Sequence, residues 1–238
     1  MNPISGNKLF SWLIDREKFF NEELHNIISG QKKVEFFGEF DGDDPVGWLF
    51  SYAEKGSGDW NLARRVGGVD EAAKFLNFLP RCEKHLLTPV PLRERVSDGQ
   101  TNVGLIFWFE APDVKKHLAY NSILQSKVRF VTKTRRPQKK YGEFEFDYFS
   151  AYLVESEKVI GVAKTIHETQ NTCEIYLEVS PRFRGRGLGL RLLEEVNNDC
   201  IKRHKKLIYV VEASNKSSLR IAEKFGMRKY QTLKRLVC

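Results

Sequence analysis

The sequence predicts an α/β protein of the α+β type, in which a mixed, mostly antiparallel twisted sheet is flanked by helices. Two observations lead to this class. In the second half, the patterns follow one another as strand, strand, strand, helix, strand, helix, strand. Hairpin-linked strands followed by a helical crossover give a mixed sheet that packs against helices. The first half carries strand and helix patterns of its own, so we expect an N-terminal α/β domain over 1–140 and a second domain over 141–238.

Six elements are predicted in the first half from apolar periodicity and turn residues. In chain order they are a helix over 9–29, strands over 34–40 and 47–54, a helix over 69–79, a strand over 102–110 and a helix over 113–124. The two early strands flank DGDDPV, whose Asp, Gly and Pro residues favour a turn, so they should form a β-hairpin. Asp70 is a candidate N-cap, and Pro80 would end the helix that follows it.

Seven elements are predicted in the second half. In chain order they are strands over 144–156, 158–169 and 173–180, a helix from about 187 to 203, a strand over 206–213, a helix over 217–225 and a strand over 229–237. Before them stands KTRRPQKKYGE (133–143), which is basic and contains a proline. We interpret it as a surface connection, and the alternative is a patch that binds phosphate or an acidic substrate.

Composition and charge restrict the class of protein. A hydrophobic fraction of 41% and an aromatic fraction of 12% are those of a folded chain. No apolar run approaches the roughly 20 residues that cross a bilayer, and the first residues lack a secretory pattern, so no membrane association is expected. The four widely spaced cysteines predict neither a zinc site nor a disulfide framework and favour a reducing cytoplasm. The net charge of +8 favours an anionic partner.

Residues 182–189 read RFRGRGLG and stand between a predicted strand and a predicted helix. Gly185, Gly187 and Gly189 would let the backbone approach a ligand without a Cβ in the way. The N–H groups at a helix N-terminus are unpaired and carry partial positive charge, so they suit a pyrophosphate. Arg184 and Arg186 add positive charge to the same loop.

Two other phosphate-binding loops do not match this segment. The P-loop pattern GxxxxGK[ST] is absent from the sequence. The dinucleotide fingerprint GxGxxG would start at Gly185 and would require a third glycine where Leu190 stands.

The segment RGRGLG (184–189) resembles the Q/R-x-x-G-x-G/A pyrophosphate loop of the GNAT superfamily of acyl-CoA N-acyltransferases. Val179 and Pro181 precede the loop as in that family. The segment NKSSLRIAEKFGM (215–227) is similar to the second family motif, N-x-x-A/S … K-x-G-F, with Met227 in place of the usual Phe. The residues in step with that motif are Asn215, Ser218, Lys224 and Gly226. The resemblance covers 144–235, and the first half resembles a diverged copy of the same fold, as in tandem members.

The resemblance implies that an acetyl group moves from acetyl-CoA, the co-substrate, to a primary amine of a small molecule or peptide by direct attack, without a metal. In the family, the strand predicted at 173–180 splays from the next strand, and pantetheine fills the gap. The resemblance assigns acyl-CoA contacts to the strand, the loop, the helix start and the second motif: Leu177, Val179, Arg184, Gly185, Arg186, Gly187, Leu188, Gly189, Asn215 and Ser218.

Attack by an amine requires a base, because an ammonium group has no lone pair. Glu174 and Glu178 lie on the strand that would line the groove, and we take them as catalytic candidates; the alternative is a pair of surface carboxylates. Because Glu174 and Glu178 are four residues apart, both side chains lie on the same face of the strand unless a bulge separates them. In many relatives a Tyr seven residues after the Asn is the acid, but Ala222 stands there. Tyr209 and Tyr230 are candidate substitutes, with core packing as their alternative role.

Three functions stay open on the sequence. The first is the transferase, in which residues 1–140 shape the acceptor site. The second, motivated by Ala222, is a non-catalytic acyl-CoA-binding or sensing module. The third is nucleic-acid binding, which we do not favour because no aromatic residue interleaves the basic stretch at 133–140. The family usually ends in two strands and this chain has room for one, so an element of the first half or a second subunit of a homodimer would complete the sheet.

Overall fold

The structure of the protein is a computed structural model, which describes residues 2–3, 7–29, 33–52, 60–66, 85–89, 102–113, 129–135 and 148–237. The backbone divides into two compact units. One comprises Met1–Phe107, Glu212–Ser214 and Gln231–Cys238, and the other comprises Trp108–Val211 and Asn215–Tyr230. The predicted fold class, an α/β protein with a mostly antiparallel sheet flanked by helices, is confirmed.

The first unit contains two short helices and most of the early strands. Its elements are β1 (Asn2–Pro3), α1 (Asn7–Asp15), α2 (Asn21–Ser29), β2 (Lys33–Asp41), β3 (Asp44–Tyr52), β4 (Trp60–Val66) and β5 (His85–Pro89). The predicted hairpin is confirmed, because β2 and β3 pair from Lys33–Tyr52 to Asp41–Asp44. Side chains alternate between the two faces of the hairpin, so Phe36 and Leu49 lie on the same face. They form a core with one face of each helix.

The second unit carries the glycine-rich segment. Its elements are the end of β6 (Asn102–Glu110), β7 (Arg129–Arg135), β8 (Tyr148–Glu155), β9 (Lys158–Ile166), β10 (Thr172–Val179), α3 (Leu188–Lys202), β11 (Lys206–Glu212) and α4 (Lys216–Phe225). The strand order is β6-β11-β10-β9-β8-β7. Strands β7 to β10 pair antiparallel with their neighbours, and β10 pairs parallel with β11. A crossover through α3 accounts for that parallel pair.

The two helices of the second unit follow from their sequences. The apolar side chains of α3 recur three or four residues apart and are buried against β8, β9 and β10. A short 3-10 turn at Pro181–Phe183 precedes the loop that leads into α3. Helix α4 begins after the N-cap Asn215 and ends at Phe225, and the next residue, Gly226, is a C-cap whose φ of 75° suits a glycine.

The last strand, β12 (Arg228–Val237), has residues in both units. Its residues 233–237 pair antiparallel with 85–89 of β5. An element from the first half of the sequence therefore pairs with the single strand that follows α4.

Several predicted elements differ from the structure. The helix predicted over 9–29 is broken at Arg16, and a 3-10 turn at Glu17–Phe19 separates α1 from α2. This break lets Leu13 and Phe20 reach the same core. The basic stretch at 133–143 is in part a strand, because β7 continues to Arg135.

Four strands were not predicted: the two-residue β1, and β4, β5 and β7. Strand β5 is short and ends in a proline, and β4 and β7 carry several arginines or lysines, so none shows a plain apolar pattern. The helices predicted over 69–79 and, apart from Asp113, over 113–124 lie outside the described residues.

Neither a membrane-spanning helix nor a metal site is found in the part of the chain that the structure describes. None of its helices is long and apolar enough to cross a membrane. No group of three or more His, Cys, Asp or Glu side chains in that part could hold a metal ion.

Candidate functional site

Strands β10 and β11 run side by side for only a short distance. Their parallel ladder joins residues 172–174 to residues 206–208. Strand β10 continues to Val179 and stays paired with β9 throughout, up to the pair with Gly161. Between residues 175 and 179, the other edge of β10 has no ladder to β11. Its backbone groups are therefore available to an extended ligand, except the Val179 carbonyl oxygen, which accepts a hydrogen bond from Arg184.

A cavity of about 320 Å³ lies beside this open edge. Leu177, Glu178 and Val179 line it from β10. The glycine-rich loop, the first turn of α3 and one face of α4 form the rest of the lining. Its volume is within the range of sites for small molecules and cofactors.

The loop before α3 owes its shape to two glycines. Gly185 and Gly187 have φ values of 76° and 78°, in the left-handed region where L-residues with a Cβ are strained. A Cβ added at either position would meet no atom within 4 Å. Gly187 is the N-cap of α3, and no side chain caps the helix. The first-turn residues Leu188 and Gly189 line the cavity, so uncapped backbone N–H groups border it.

Gly189 has a different role, because it lies where α3 meets α4. A Cβ at this position would be 2.8 Å from Cδ1 of Ile221, which also lines the cavity. The glycine therefore allows the two helices to approach each other beside the loop.

Cationic side chains surround the loop. The Arg184 side chain lines the cavity, and its Nε donates a 2.9 Å hydrogen bond to the Val179 carbonyl oxygen. Arg220 and Lys224 line the cavity from α4. The Arg186 guanidinium instead lies 5.4 Å from the ring centroid of Phe183, and Arg186 is not among the lining residues. The lining thus carries three cationic residues, which favour a polyanionic ligand.

The start of α4 presents a compact polar group to the cavity. Asn215 Oδ1 accepts hydrogen bonds from the Ser218 backbone N–H, at 3.1 Å, and from the Ser217 hydroxyl, at 2.9 Å. These bonds fix the amide of Asn215. The hydroxyl of Ser218 interacts with the phenol of Tyr209, which lies on β11. Burial raises the pKa of Tyr209 above its ordinary value, and the hydrogen bond with Ser218 opposes that shift.

The two carboxylates predicted as catalytic candidates take different positions. The ladder between β9 and β10 is continuous from Glu174 to Val179, so no bulge separates Glu174 from Glu178 and both lie on one face. Glu178 lines the cavity. Glu174 is not in the lining, and its Oε2 is 3.0 Å from Nδ1 of His167. Only Glu178 therefore combines a carboxylate with a place beside the open edge of β10.

Nine of the ten residues to which the sequence assigned acyl-CoA contacts line this one cavity, the exception being Arg186. The sequence interpretation missed Arg220 and Ile221. Their helical spacing from Ser217, Ser218 and Lys224 was the available signal, since residues three or four apart share a helix face.

The sequence of residues 119–227 matches the family described as Acetyltransferase (GNAT) family. This range includes β10, the glycine-rich loop and both helices that line the cavity. The region over 119–227 belongs to the GNAT superfamily. Membership places it in the general class of acyl-CoA-dependent acetyltransferases.

Solved structures share the fold of this chain. A Drosophila protein, 14% identical, aligns over 99% of this chain and 97% of its own with a TM-score of 0.65. A GCN5-related N-acetyltransferase from Kribbella flavida, 11% identical, covers 92% of this chain and 94% of its own with a TM-score of 0.59. A GCN5-related N-acetyltransferase-like protein from Streptococcus suis, 14% identical, covers 98% and 99% with a TM-score of 0.54. These identities show a common fold alone. No curated protein matches the sequence.

Proposed function

We propose that this chain transfers an acetyl group from acetyl-CoA to a primary amine of a small molecule or peptide by direct attack. One observation carries the proposal: an open strand edge, a glycine loop at a helix N-terminus and the carboxylate of Glu178 border the same cavity. The first two features suit an acyl-CoA, and the third suits the deprotonation of an amine.

The residues present fit an acyl-CoA. A pyrophosphate needs backbone donors and space, and Gly185 and Gly187 provide a loop in which even an added Cβ would meet no atom within 4 Å. Arg184 and Lys224 would balance its charge. The unpaired edge of β10 would hold the pantetheine through backbone hydrogen bonds, and the fixed amide of Asn215 would contact it through Nδ2. When bound, acetyl-CoA supplies a thioester whose carbonyl carbon is open to attack.

The chain itself would supply the base. Glu178 would accept the proton of the amine at a carboxylate oxygen, directly or through one water. Its Oε2 accepts a 2.6 Å hydrogen bond from the Tyr176 hydroxyl, which fixes the carboxylate and leaves Oε1 outside that bond. A catalytic role for Glu174 is less well supported, since Glu174 bonds to His167 and does not line the cavity.

For the acceptor we propose only a chemical class, a primary amine of a small molecule or peptide. Tyr176 and Glu178 are both exposed on the face of β10 from which an amine would approach. We also propose that residues 1–140 contribute to acceptor binding, on the strength of the sequence alone. Residence in the cytoplasm and a homodimer stay predictions.

The proposal is tested by thermal unfolding and by thiol release. Acetyl-CoA and longer acyl-CoAs should raise the melting temperature, since a ligand that binds only the native state stabilises it. A panel of primary amines should then release CoA thiol from acetyl-CoA. Glu178→Gln should suppress release while the thermal shift stays, and Glu174→Gln serves as the matched control.

A second function is favoured by one observation. Ala222, at the position where many relatives carry an acidic Tyr, is fully buried and does not line the cavity. A non-catalytic acyl-CoA-binding or sensing module would show the thermal shift with no thiol release for any amine. Absence of any shift with any acyl-CoA would count against both functions.

A further inference from the structure

The lining of the cavity contains one tyrosine, Tyr209, within the part of the chain that the structure describes. Tyr209 follows Ile208, the last residue of β11 that pairs with β10. It therefore stands where the two strands begin to diverge. Its ring is held in place, because only 5% of the residue is exposed.

The hydroxyl of Tyr209 lies near a second hydroxyl group. This is the hydroxyl of Ser218, the third residue of α4, whose interaction with the phenol lowers the pKa of Tyr209 and so opposes the effect of burial. Ser218 is only partly buried and lines the same cavity. The phenol and the Ser218 hydroxyl thus border one cavity, from which solvent can return a proton.

We propose that Tyr209 is the general acid of the transfer and donates its phenolic proton to the sulfur of the departing CoA. This assignment rests on the proposed acetyltransferase function. The bond between the acetyl carbon and sulfur breaks as the bond between that carbon and the amine nitrogen forms. The amine proton goes to Glu178 and the sulfur receives the proton of Tyr209. Solvent then takes the proton from Glu178 and restores that of Tyr209, so protons balance over one turnover.

The environment of Tyr209 suits an acid. Burial raises its pKa above the ordinary value, so the phenol stays protonated at neutral pH. The Ser218 hydroxyl can donate to the phenolate that forms after transfer. Two other phenols fit less well. The Tyr176 hydroxyl already donates to Glu178, and Tyr230 does not line the cavity.

The first test compares Tyr209→Phe with the matched control Tyr230→Phe in the full chain. Tyr209→Phe should lower kcat by about 10²- to 10⁴-fold, the usual contribution of a general acid. Acetyl-CoA should still raise the melting temperature, because phenylalanine keeps the ring. Tyr230→Phe should leave kcat unchanged. A Tyr209→Phe enzyme that keeps full kcat overturns the assignment.

A second test separates a proton donor from a packing residue. Fluorinated tyrosine at position 209 is more acidic, so the fall of kcat at high pH should move to lower pH. A purely structural ring would leave that part of the pH profile in place, which would overturn the assignment.

The last test does not depend on transfer. If the chain binds CoA yet releases no thiol with any amine, the acetyltransferase proposal fails. The ultraviolet absorbance of bound CoA thiolate, followed against pH, then decides the contact between Tyr209 and the sulfur. A titration that differs between the native chain and Tyr209→Phe supports the contact. Identical titrations, or no CoA binding at all, overturn it.

Discussion

The hydroxyl of Tyr176 donates a 2.6 Å hydrogen bond to Oε2 of Glu178. The two residues lie on one face of β10, and the register of this strand against β9 is unbroken. This bond is the main reason why the pKa of Tyr176 is raised, since the phenol is exposed to solvent. One oxygen of the proposed base is therefore held by a neighbouring side chain.

We expect Tyr176→Phe to lower kcat several-fold without changing the thermal shift given by acetyl-CoA. The substitution removes the bond that orients Glu178 but leaves the carboxylate, so its effect should be smaller than that of Glu178→Gln. The bond exists while Tyr176 is protonated and is lost as pH rises through its raised pKa. Steady-state kinetics of both variants check this order, and equal kcat for Tyr176→Phe and the native chain would contradict it.

Much of the fold of the second unit could be predicted from local patterns. The turn after Glu155, the glycines before α3 and the Asn215 cap are local signals, and β8 to β11, α3 and α4 were found from such signals. Strands β4 and β7 could not be found in this way, because their stability comes from pairing with partners distant in sequence.

The candidate site likewise contains residues whose position could be predicted from the sequence and residues whose position could not. The loop residues form a contiguous motif, so their place at one cavity was predictable. The separation of Glu174 from Glu178 was not, because it depends on where the β10–β11 ladder ends and on the contact with His167. Sequence spacing alone left open whether a bulge intervened.

Gly189 and Ile221 should be energetically coupled. Gly189→Ala places a Cβ 2.8 Å from Ile221 Cδ1, and the contact should cancel the gain of about 1 kcal/mol in helix propensity. Ile221→Val removes that atom at a cost of about 0.5–1.5 kcal/mol. The double variant should be more stable than the sum of the single changes, by about 1 kcal/mol.

A urea double-mutant cycle measures this coupling. Gly187→Ala is the control, because its Cβ would meet no atom within 4 Å and its cost of about 1–2 kcal/mol comes from backbone conformation. Ile221→Val should not relieve that cost. Additive free energies for Gly189 and Ile221 would show that the helices adjust without strain.

Glu168 should be the most sensitive position of a buried charge cluster. Its side chain is fully buried, and Oε1 accepts 2.7 Å hydrogen bonds from both Arg203 and Lys205. Glu168→Gln should lower the free energy of unfolding by about 3 kcal/mol, because both cations lose their shared carboxylate. Lys205→Met should cost less, since Arg203 still pairs with Glu168. Denaturant unfolding measures the free energy of unfolding of both variants. A larger loss for Lys205→Met than for Glu168→Gln would contradict the explanation that both cations depend on the Glu168 carboxylate.

Asp199 should make stability depend on pH in the opposite sense to an ordinary ion pair. Burial, with a smaller contribution from the charge of Glu168, raises its pKa above the ordinary value. The opposing effect of Arg203, which donates a 2.7 Å hydrogen bond to Oδ2, does not cancel this rise. The native state therefore binds a proton more readily than the unfolded chain, and stability falls as pH rises from the ordinary carboxyl pKa through the raised value.

Asp199→Asn removes that titration and keeps an oxygen for Arg203. The variant should match or slightly exceed the native chain in stability at pH 7, by less than about 1 kcal/mol. Unfolding free energies measured at neutral pH and below the ordinary carboxyl pKa check this, and the difference should shrink in acid. A large loss at pH 7 would show that the ion pair outweighs burial.

The thiols of Cys173 and Cys200 should resist alkylation in the folded chain. Their sulfur atoms are 2.7 Å apart and both residues are fully buried, at the start of β10 and near the end of α3. Burial, followed by the hydrogen bond and charge of Cys200, raises the pKa of Cys173 well above its ordinary value. Lack of access slows the reaction of both thiols with iodoacetamide, and the low thiolate fraction of Cys173 slows its reaction further.

Labelling of a Cys82→Ser, Cys238→Ser background followed by peptide mass analysis measures this protection. Both thiols should react at the rate at which the second unit opens, and fully once the chain is unfolded. Adding Cys200→Ala should leave Cys173 slow, because burial is the largest cause of its raised pKa. Fast labelling of Cys173 in that variant would show that Cys200, and not burial, protects the Cys173 thiol.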